Sequence, residues 1–373
     1  MRAISGIIDV HSHAILPIGQ QPPATPPAWS VESTLALMDS HGIQAVILSV
    51  PDAANYLLGQ EARDVARRIN ETLADIVARA RAAGVSSPEF AIYEGIHAAE
   101  FDPESKPAAL FGAFPDHVDK ALGRWRVRHL LRVGEVAEAI ELIGREMDRD
   151  QSAELWAYAS TAWRLAGDPR SEWLERDERL VNVIDLTDDL PPLETMAETL
   201  RGLHVARGEY LDQSVRGGTQ TDGPLLSRID PVIRHLRRAI VAAVERYRAQ
   251  LPPIDDAHPL LRHRRDRRVR FSGSWSVRLR SGGHHSNHVH PLGWISSALY
   301  FALPEPTAGE GEDAGWFTLG EPDRKLGIDL QPWRKIEPKP AHLVLFPSWM
   351  WHGTVPFVEG ERLTVAFDVA PPV

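Results

Sequence analysis

The sequence predicts an α+β protein in three parts, with a short βα segment, a helical middle and a C-terminal antiparallel β sandwich or barrel. After Pro259, short apolar runs alternate with Gly- and Pro-containing turns, which is typical of such β folds. Between about residues 88 and 185, apolar residues recur at spacings of three and four, which indicates helices. Near the N-terminus, a strand-like run precedes a helical one. We therefore expect three segments, 1–85, 86–186 and 187–373.

The N-terminal segment begins with an apolar strand that ends in His11-Ser12-His13. A helix is predicted near residues 31–41, a second strand over 45–50 and another helix over 60–83. The stretch from Ile7 to about Ala78 resembles the start of amidohydrolase-like metal-dependent hydrolases and decarboxylases. By that resemblance His11 and His13 would bind a metal. A TIM barrel needs roughly 200 residues or more and eight βα units, which do not follow here, so we expect a fused fragment or a small βα cap.

The middle segment is predicted to be helical. Leu122 to Ile143 carries apolar residues at helical spacing, and Gly134 predicts a turn between two helices. Ala153 to Ala166 predicts a further helix that ends at Gly167. The pattern suggests a degenerate tetratricopeptide-like hairpin, which would hold a protein partner or pack on the neighbouring domain.

A longer helix is predicted to begin at Asp230, as the N-cap, with Pro231 in its first turn. An apolar stripe marks one face of it, and Leu251-Pro252-Pro253 ends it. The stripe consists of Val232, Leu236, Ile240, Val244 and Tyr247. We expect this helix to lie against the outside of the β domain, the alternative being packing on the helical segment alone.

Four strands are predicted in the C-terminal part, the first from a partial alternation of large apolar and polar residues and the others from apolar or aromatic runs. They cover Arg270–Leu279, Trp294–Leu303, His342–Phe346 and Leu363–Val369.

A group of histidines carries the functional signal. Four fall within seven residues, at 284, 285, 288 and 290, and His352 follows far downstream. Neutral imidazole is the commonest side-chain metal ligand, and residues i and i+2 of a strand point to the same face. His288, His290 and His352 can therefore cap one face of an ion and leave positions open for a co-substrate and oxygen, as in non-haem Fe(II) oxygenases. For His284 and His285 we expect a core or loop role.

Residues from about Leu211 to the end resemble the 2-oxoglutarate/Fe(II)-dependent oxygenases of bacteria. The matching stretches are 212–221, 273–279, 287–291, 293–297, 345–348, 352–354 and 362–364. The resemblance implies a double-stranded β-helix, or jelly roll, that uses Fe(II) and 2-oxoglutarate, with His288 and His352 as ligands. The usual third position holds Asp or Glu, whereas this chain has His290. Either His290 is the third ligand, or the ion has two protein ligands and an extra water.

Arg362 is the candidate partner for 2-oxoglutarate. A dicarboxylate that chelates iron at one end needs a cation at the other, and guanidinium offers a two-pronged donor that matches a carboxylate. Arg362 follows His352 by ten positions, the spacing of this arginine in the superfamily. Thr364 points the same way on the strand and could add a hydroxyl donor. Arg278 is either a second cation in the site or a residue of the sheet surface.

Composition excludes several classes of protein. The net charge of −10 gives no overall bias toward nucleic acid, and the basic run 262–268 is expected to be a solvated loop. The chain has no cysteine, so disulfides and cysteine metal sites are absent. We found no signal peptide or long apolar run, so we expect a cytoplasmic protein that does not bind membranes.

The sequence therefore predicts an Fe(II)/2-oxoglutarate-dependent dioxygenase that hydroxylates a small-molecule or protein substrate of unknown identity. The alternatives are a metal-dependent hydrolase or decarboxylase that uses His11 and His13, and a non-catalytic jelly-roll or repeat scaffold.

Overall fold

The computed structural model describes residues 7–13, 31–41, 43–49, isolated positions between 60 and 96, 120–206 and 213–372. The chain forms two compact units, one of residues 1–86 and 206–211, and the other of residues 87–205 and 212–373. In the parts of the chain that can be described, no helix is both long enough and apolar enough to cross a membrane.

The first unit contains a parallel pair of strands and one described helix. Strand β1 (Ile7–His13) pairs with β2 (Ile43–Ser49), and helix α1 (Val31–His41) lies between them in the chain. This strand–helix–strand order agrees with the prediction for these residues. The described positions from 60 to 82 are helical, as predicted for that stretch.

The second unit begins with helices. They are α2 (Lys120–Arg132), α3 (Val136–Glu146), α4 (Ala153–Ala166), α5 (Arg170–Glu175), α6 (Leu193–Leu203) and α7 (Pro231–Gln250). Gly134 has a positive φ of 83° between α2 and α3, and Gly167 has a φ of 65° after α4, so both glycines occupy the left-handed conformation that ends a helix. Both helix ends were predicted from the sequence.

Most of the prediction for helix α7 is confirmed. Leu236, Ile240, Val244 and Tyr247 are buried, and the helix ends directly before Leu251. The N-cap prediction is wrong in one respect, because the Asp230 side chain makes no capping hydrogen bond. It accepts a hydrogen bond from Arg228 instead.

The described β structure of the second unit consists of two antiparallel sheets. The strands are β3 (Asn182–Asp185), β4 (Val215–Gln220), β5 (Phe271–His285), β6 (Ile295–Ala302), β7 (Phe317–Leu319), β8 (Arg334–Ile336), β9 (His342–Pro347), β10 (His352–Thr354) and β11 (Arg362–Val369). Six of them form a sheet in the order β3-β9-β6-β11-β5-β4, and the other three form a sheet in the order β10-β7-β8. A large and a small antiparallel sheet are consistent with the predicted jelly roll.

The four predicted strands appear as β5, β6, β9 and β11, and the second unit contains five more, β3, β4, β7, β8 and β10. Strand β3 corrects the prediction that the chain is helical up to residue 185, because it pairs with β9 at the edge of the large sheet. One core joins the helices to both sheets, since Leu155 of α4, Leu343 of β9 and Phe317 of β7 belong to the same buried cluster.

Candidate metal centre

A backbone bridge between two chain segments brings the predicted histidines together. His288 and His352 exchange backbone hydrogen bonds of 3.0 and 3.1 Å, although 64 positions separate them in the sequence. The His290 amide donates to the Ser348 carbonyl at 3.0 Å, which continues the contact. His288, His290 and His352 therefore lie at one place on the small sheet, as the sequence predicted.

The three side chains point their Nε2 atoms at one another. The His290 Nε2 lies 3.1 Å from that of His288 and 3.2 Å from that of His352. The three residues present ligand atoms that all lie within 4.8 Å of one another. Two nitrogens bound at about 2.1 Å to one ion at right angles lie about 3 Å apart. The spacing therefore fits three donors on one face of a metal ion.

The hydrogen bonds at Nδ1 fix the tautomer of each ring. His288 donates from Nδ1 to the Ser286 carbonyl at 2.8 Å, and His352 donates to the Met350 carbonyl at 2.9 Å. His290 Nδ1 lies 2.7 Å from both carboxylate oxygens of Asp368. Carbonyls and carboxylates only accept, so each Nδ1 carries the proton and each Nε2 of a neutral ring presents a lone pair. Three such lone pairs repel one another, and a bound cation makes the arrangement favourable.

Burial keeps two of the rings neutral at physiological pH. It lowers the pKa of His288 to about 3, and the neighbouring His290 adds to the effect. Burial also holds the pKa of His352 well below its usual value, with further lowering by His288 and His290. Neutral imidazole is the form that binds metals.

Aromatic rings surround the triad. The Trp275 ring stacks on His290 at 5.5 Å between centroids, and Phe317 and Phe346 lie 5.9 and 4.7 Å from His352. These aromatic contacts help to hold the rings of His290 and His352 in place.

Asp368 is a site residue that the sequence did not single out. It is 6% exposed, and it also accepts a 2.6 Å hydrogen bond from the Ser296 hydroxyl. A carboxylate behind a ligating histidine orients the ring and raises its basicity. The strand alternation could have found it, since Arg362, Thr364, Ala366 and Asp368 occupy every second position of β11 and all line one cavity.

That cavity has a volume of about 750 Å³ and extends from the histidines to Arg362. Arg362 is 2% exposed, and its guanidinium lies over the Tyr300 ring at 5.0 Å from the centroid. Burial lowers the pKa of this guanidinium, while the neighbouring Tyr300 raises it. Among the described residues, neither the Arg362 Nε nor the Tyr300 hydroxyl makes a hydrogen bond of good geometry, although the two side chains are close enough to interact with each other.

Buried polar atoms without partners are costly, so this end of the cavity suits a ligand that accepts hydrogen bonds, such as a carboxylate. Thr364 is 4% exposed and lies in the same wall, and its hydroxyl makes only a long 3.5 Å contact to the Val277 carbonyl. The donors present fit the distal carboxylate of 2-oxoglutarate. Tyr300 was not predicted from the sequence.

The sequence of this region matches a known family. Residues 273–368, about a quarter of the chain, match the model of the family described as "Putative 2OG-Fe(II) oxygenase". This segment is similar to the 2OG-Fe(II) oxygenase family. The resemblance noted in the sequence is thereby confirmed, and the predicted enzyme class, Fe(II)/2-oxoglutarate-dependent dioxygenase, is that of the family. Fe(II) and 2-oxoglutarate, the predicted cofactors, are those of the family as well. No curated protein matches the chain significantly.

Solved structures of several oxygenases are similar to the chain at low identity. A prolyl-4-hydroxylase from Pseudomonas putida is 14% identical, with a TM-score of 0.35, and the match covers 56% of this chain and 100% of that one. A viral collagen prolyl hydroxylase from Paramecium bursaria Chlorella virus-1, in its 2-oxoglutarate complex, is 15% identical, with coverages of 52% and 98% and a TM-score of 0.35. HygX from Streptomyces hygroscopicus, with nickel, 2-oxoglutarate and hygromycin B bound, is 14% identical, with coverages of 52% and 83% and a TM-score of 0.33.

Arg278 does not line this cavity. Its Nε is 2.5 Å from Glu361, which also pairs with Arg201 of α6 at 2.8 Å. Arg278 is not among the residues that line the cavity, whereas Ser272, Gly273 and Trp275 of the same strand are. The expectation that Arg278 contacts the co-substrate is corrected, and its other predicted place, the sheet surface, agrees with the structure.

The remaining histidine predictions have mixed outcomes. His285 lines the cavity beside His288, with ring centroids 5.8 Å apart, so it is closer to the site than expected. The side chains of His11 and His13 lie outside the described residues. The family match begins at residue 273 and gives no support to the amidohydrolase resemblance of residues 7–78.

Proposed function

We propose that the chain is an Fe(II)- and 2-oxoglutarate-dependent hydroxylase in which His288, His290 and His352 hold the metal. The observation that carries the proposal is the convergence of three Nε2 atoms whose tautomers are fixed by their Nδ1 hydrogen bonds. We assign His290 as the third ligand, in the place of the usual carboxylate, rather than a site with two protein ligands and a water.

Three neutral ligands leave the full charge of the ion uncompensated, whereas the usual carboxylate ligand would remove one unit. Asp368 returns part of that charge through the His290 ring, because its carboxylate accepts the Nδ1 proton at 2.7 Å. The negative charge that a carboxylate ligand would supply thus comes from Asp368, which is hydrogen-bonded to the ligand His290 instead of binding the metal itself.

Arg362, Thr364 and Tyr300 hold the distal carboxylate of 2-oxoglutarate at the far end of the cavity. Arg362 supplies a buried charge and a two-pronged donor, and the two hydroxyls supply further donors. Their position orients the co-substrate toward the histidines. With both cofactors bound, the family chemistry couples decarboxylation of 2-oxoglutarate to succinate with hydroxylation of a substrate C–H bond.

The test is an anaerobic titration of the Fe(II)-loaded protein with 2-oxoglutarate, followed by admission of oxygen. We expect the absorption band of the metal–keto-acid chelate, and succinate formation once oxygen is present. His352→Ala removes one Nε2 donor and should abolish both the iron and the band, while His342→Ala, which changes a histidine outside the cavity, should leave both intact. Stoichiometric iron in the His352→Ala variant would refute the assignment.

A further inference from the structure

Three cations line the oxygenase cavity, and none of them has a counter-charge in ion-pair contact among the described residues. They are Arg216, Arg324 and Lys325. The whole chain carries a net charge of −10, so a group of cations without ion pairs is the opposite of what the overall charge would lead one to expect at this cavity. A cleft lined with one sign of charge concentrates ligands of the opposite sign.

Arg216 is held in place next to the histidine triad. Its Nη1 donates to the carbonyls of Gln213 and Val215 at 2.6 and 2.7 Å. The hydroxyl of Ser214, between those two residues, lies 3.2 Å from the His288 Nε2. The guanidinium is therefore positioned by its own strand, with its other N–H groups available to a ligand.

Arg324 and Lys325 lie on a short 3-10 turn that is fixed at both ends. The Asp323 side chain accepts the Lys325 amide at 3.0 Å, and Leu326 is 1% exposed in the core. Asn287, the neighbour of His288, donates to the Pro322 carbonyl at 3.3 Å. The turn thus holds its two exposed cations at a fixed place beside the site.

The acidic groups in the cavity wall already have partners. Asp323 lies 4.0 Å from Arg128, and Asp368 accepts hydrogen bonds from His290 and Ser296. They do not neutralise the three cations. Apolar surface accompanies the charge, because Leu292 at the mouth is 76% exposed and Trp275 forms part of the wall.

We propose that the substrate is an anion with an aliphatic portion, and that its carboxylate or phosphate group binds to Arg216 and the Arg324–Lys325 turn. The apolar portion then lies against Leu292 and Trp275 and reaches the histidine triad. Guanidinium pairs with either oxyanion in a two-pronged manner. The inference rests on the proposed function, since it concerns the substrate of the same site.

The test measures binding by calorimetry under anaerobic conditions, in the presence of Fe(II) and saturating 2-oxoglutarate. The probes are octanoate and octyl phosphate, with octanamide and octan-1-ol as neutral counterparts. We expect the anionic probes to bind and the neutral ones to bind at least about tenfold more weakly, the difference expected for hydrogen bonds to a charged group. Comparison of the dissociation constants of octanoate and octyl phosphate then identifies whether a carboxylate or a phosphate is preferred.

Arg216→Gln and Lys325→Gln should each weaken anion binding by about tenfold and leave the neutral probes unaffected. Arg234→Gln and Lys339→Gln are matched controls, since they remove exposed cations that do not line the cavity. Equal binding of charged and neutral probes, absence of anion binding, or equal effects in the controls would overturn the proposal. The absorption band of the metal–keto-acid chelate tests the oxygenase assignment separately from probe binding. If the band forms but the anionic probes do not bind, only the substrate inference fails; if the band is absent, probe binding is measured again without metal.

Discussion

Replacing Asp368 tests whether a carboxylate outside the coordination sphere supports the metal. In the structure this carboxylate lies 2.7 Å from the His290 Nδ1 and accepts a 2.6 Å hydrogen bond from Ser296. Asp368→Asn keeps an acceptor for the ring but loses the charge, and Asp368→Ala loses both. Loss of such a partner typically lowers metal affinity by about 10- to 100-fold. We assign the lower end to the Asn variant, since charged hydrogen bonds are roughly twice as strong as neutral ones.

The assay is a competition titration of Co(II) or Fe(II) against a chelator of known affinity. On the free-energy scale the expected losses are about 1.4 kcal/mol for Asn and about 2.8 kcal/mol for Ala. Asp323→Asn is the matched control, because Asp323 lines the same cavity but caps a turn. Metal affinity that changes less than about twofold in both Asp368 variants would show that Asp368 does not support His290.

Three further predictions follow from the same geometry. His290→Asp restores the commoner ligand pattern, so the variant should still bind Fe(II) by metal analysis; loss of iron would contradict the idea that a carboxylate can take the ligand position of His290. Arg362→Ala leaves a co-substrate carboxylate unpaired, at a cost on the order of 2–5 kcal/mol, so 2-oxoglutarate should bind at least about tenfold more weakly. Arg362→Lys should lose less, and an unchanged dissociation constant in both variants would mean that the co-substrate is held elsewhere. Burial, and then the nearby charge of Arg278, lowers the pKa of His204 to about 4. Below about pH 6.5 this histidine therefore takes up a proton in the unfolded chain but not in the folded protein. Stability should therefore fall as the pH drops from about 6.5 to 4, and His204→Gln should flatten that slope in chemical denaturation; identical slopes would contradict the cause.

The sequence predicted the three histidines and Arg362 because their signals are local. His288 and His290 share a short motif, and Arg362 follows His352 at a fixed distance. Tyr300 and Asp368 were missed because their roles depend on side chains that meet only across strands. Arg278 was wrongly placed in the site for a related reason. A residue of a strand can point to either face of the sheet, and the sequence of β5 alone does not show which face Arg278 occupies.

The fold was predicted best where apolar runs are long. Strands β6, β9 and β11 have such runs, and β5 shows a partial alternation of apolar and polar residues. In contrast, β7, β8 and β10 have three residues each and carry too few apolar positions for a pattern. Strand β3 was missed for another reason. It follows a series of helices, and its side chains alternate between half-buried and exposed positions, which is the pattern of an edge strand.

The position of β3 has a consequence for dissecting the protein. A fragment that begins at residue 187, the predicted start of the oxygenase domain, would lack this strand and leave β9 as an unpaired edge. Exposed edges of this kind template the pairing of one chain with another. Helices α2 to α5 precede β3 in the chain and share its core, so the helical part and the large sheet should melt in one cooperative transition. A tetratricopeptide-like appendage on a free-standing catalytic domain would instead be separable by proteolysis.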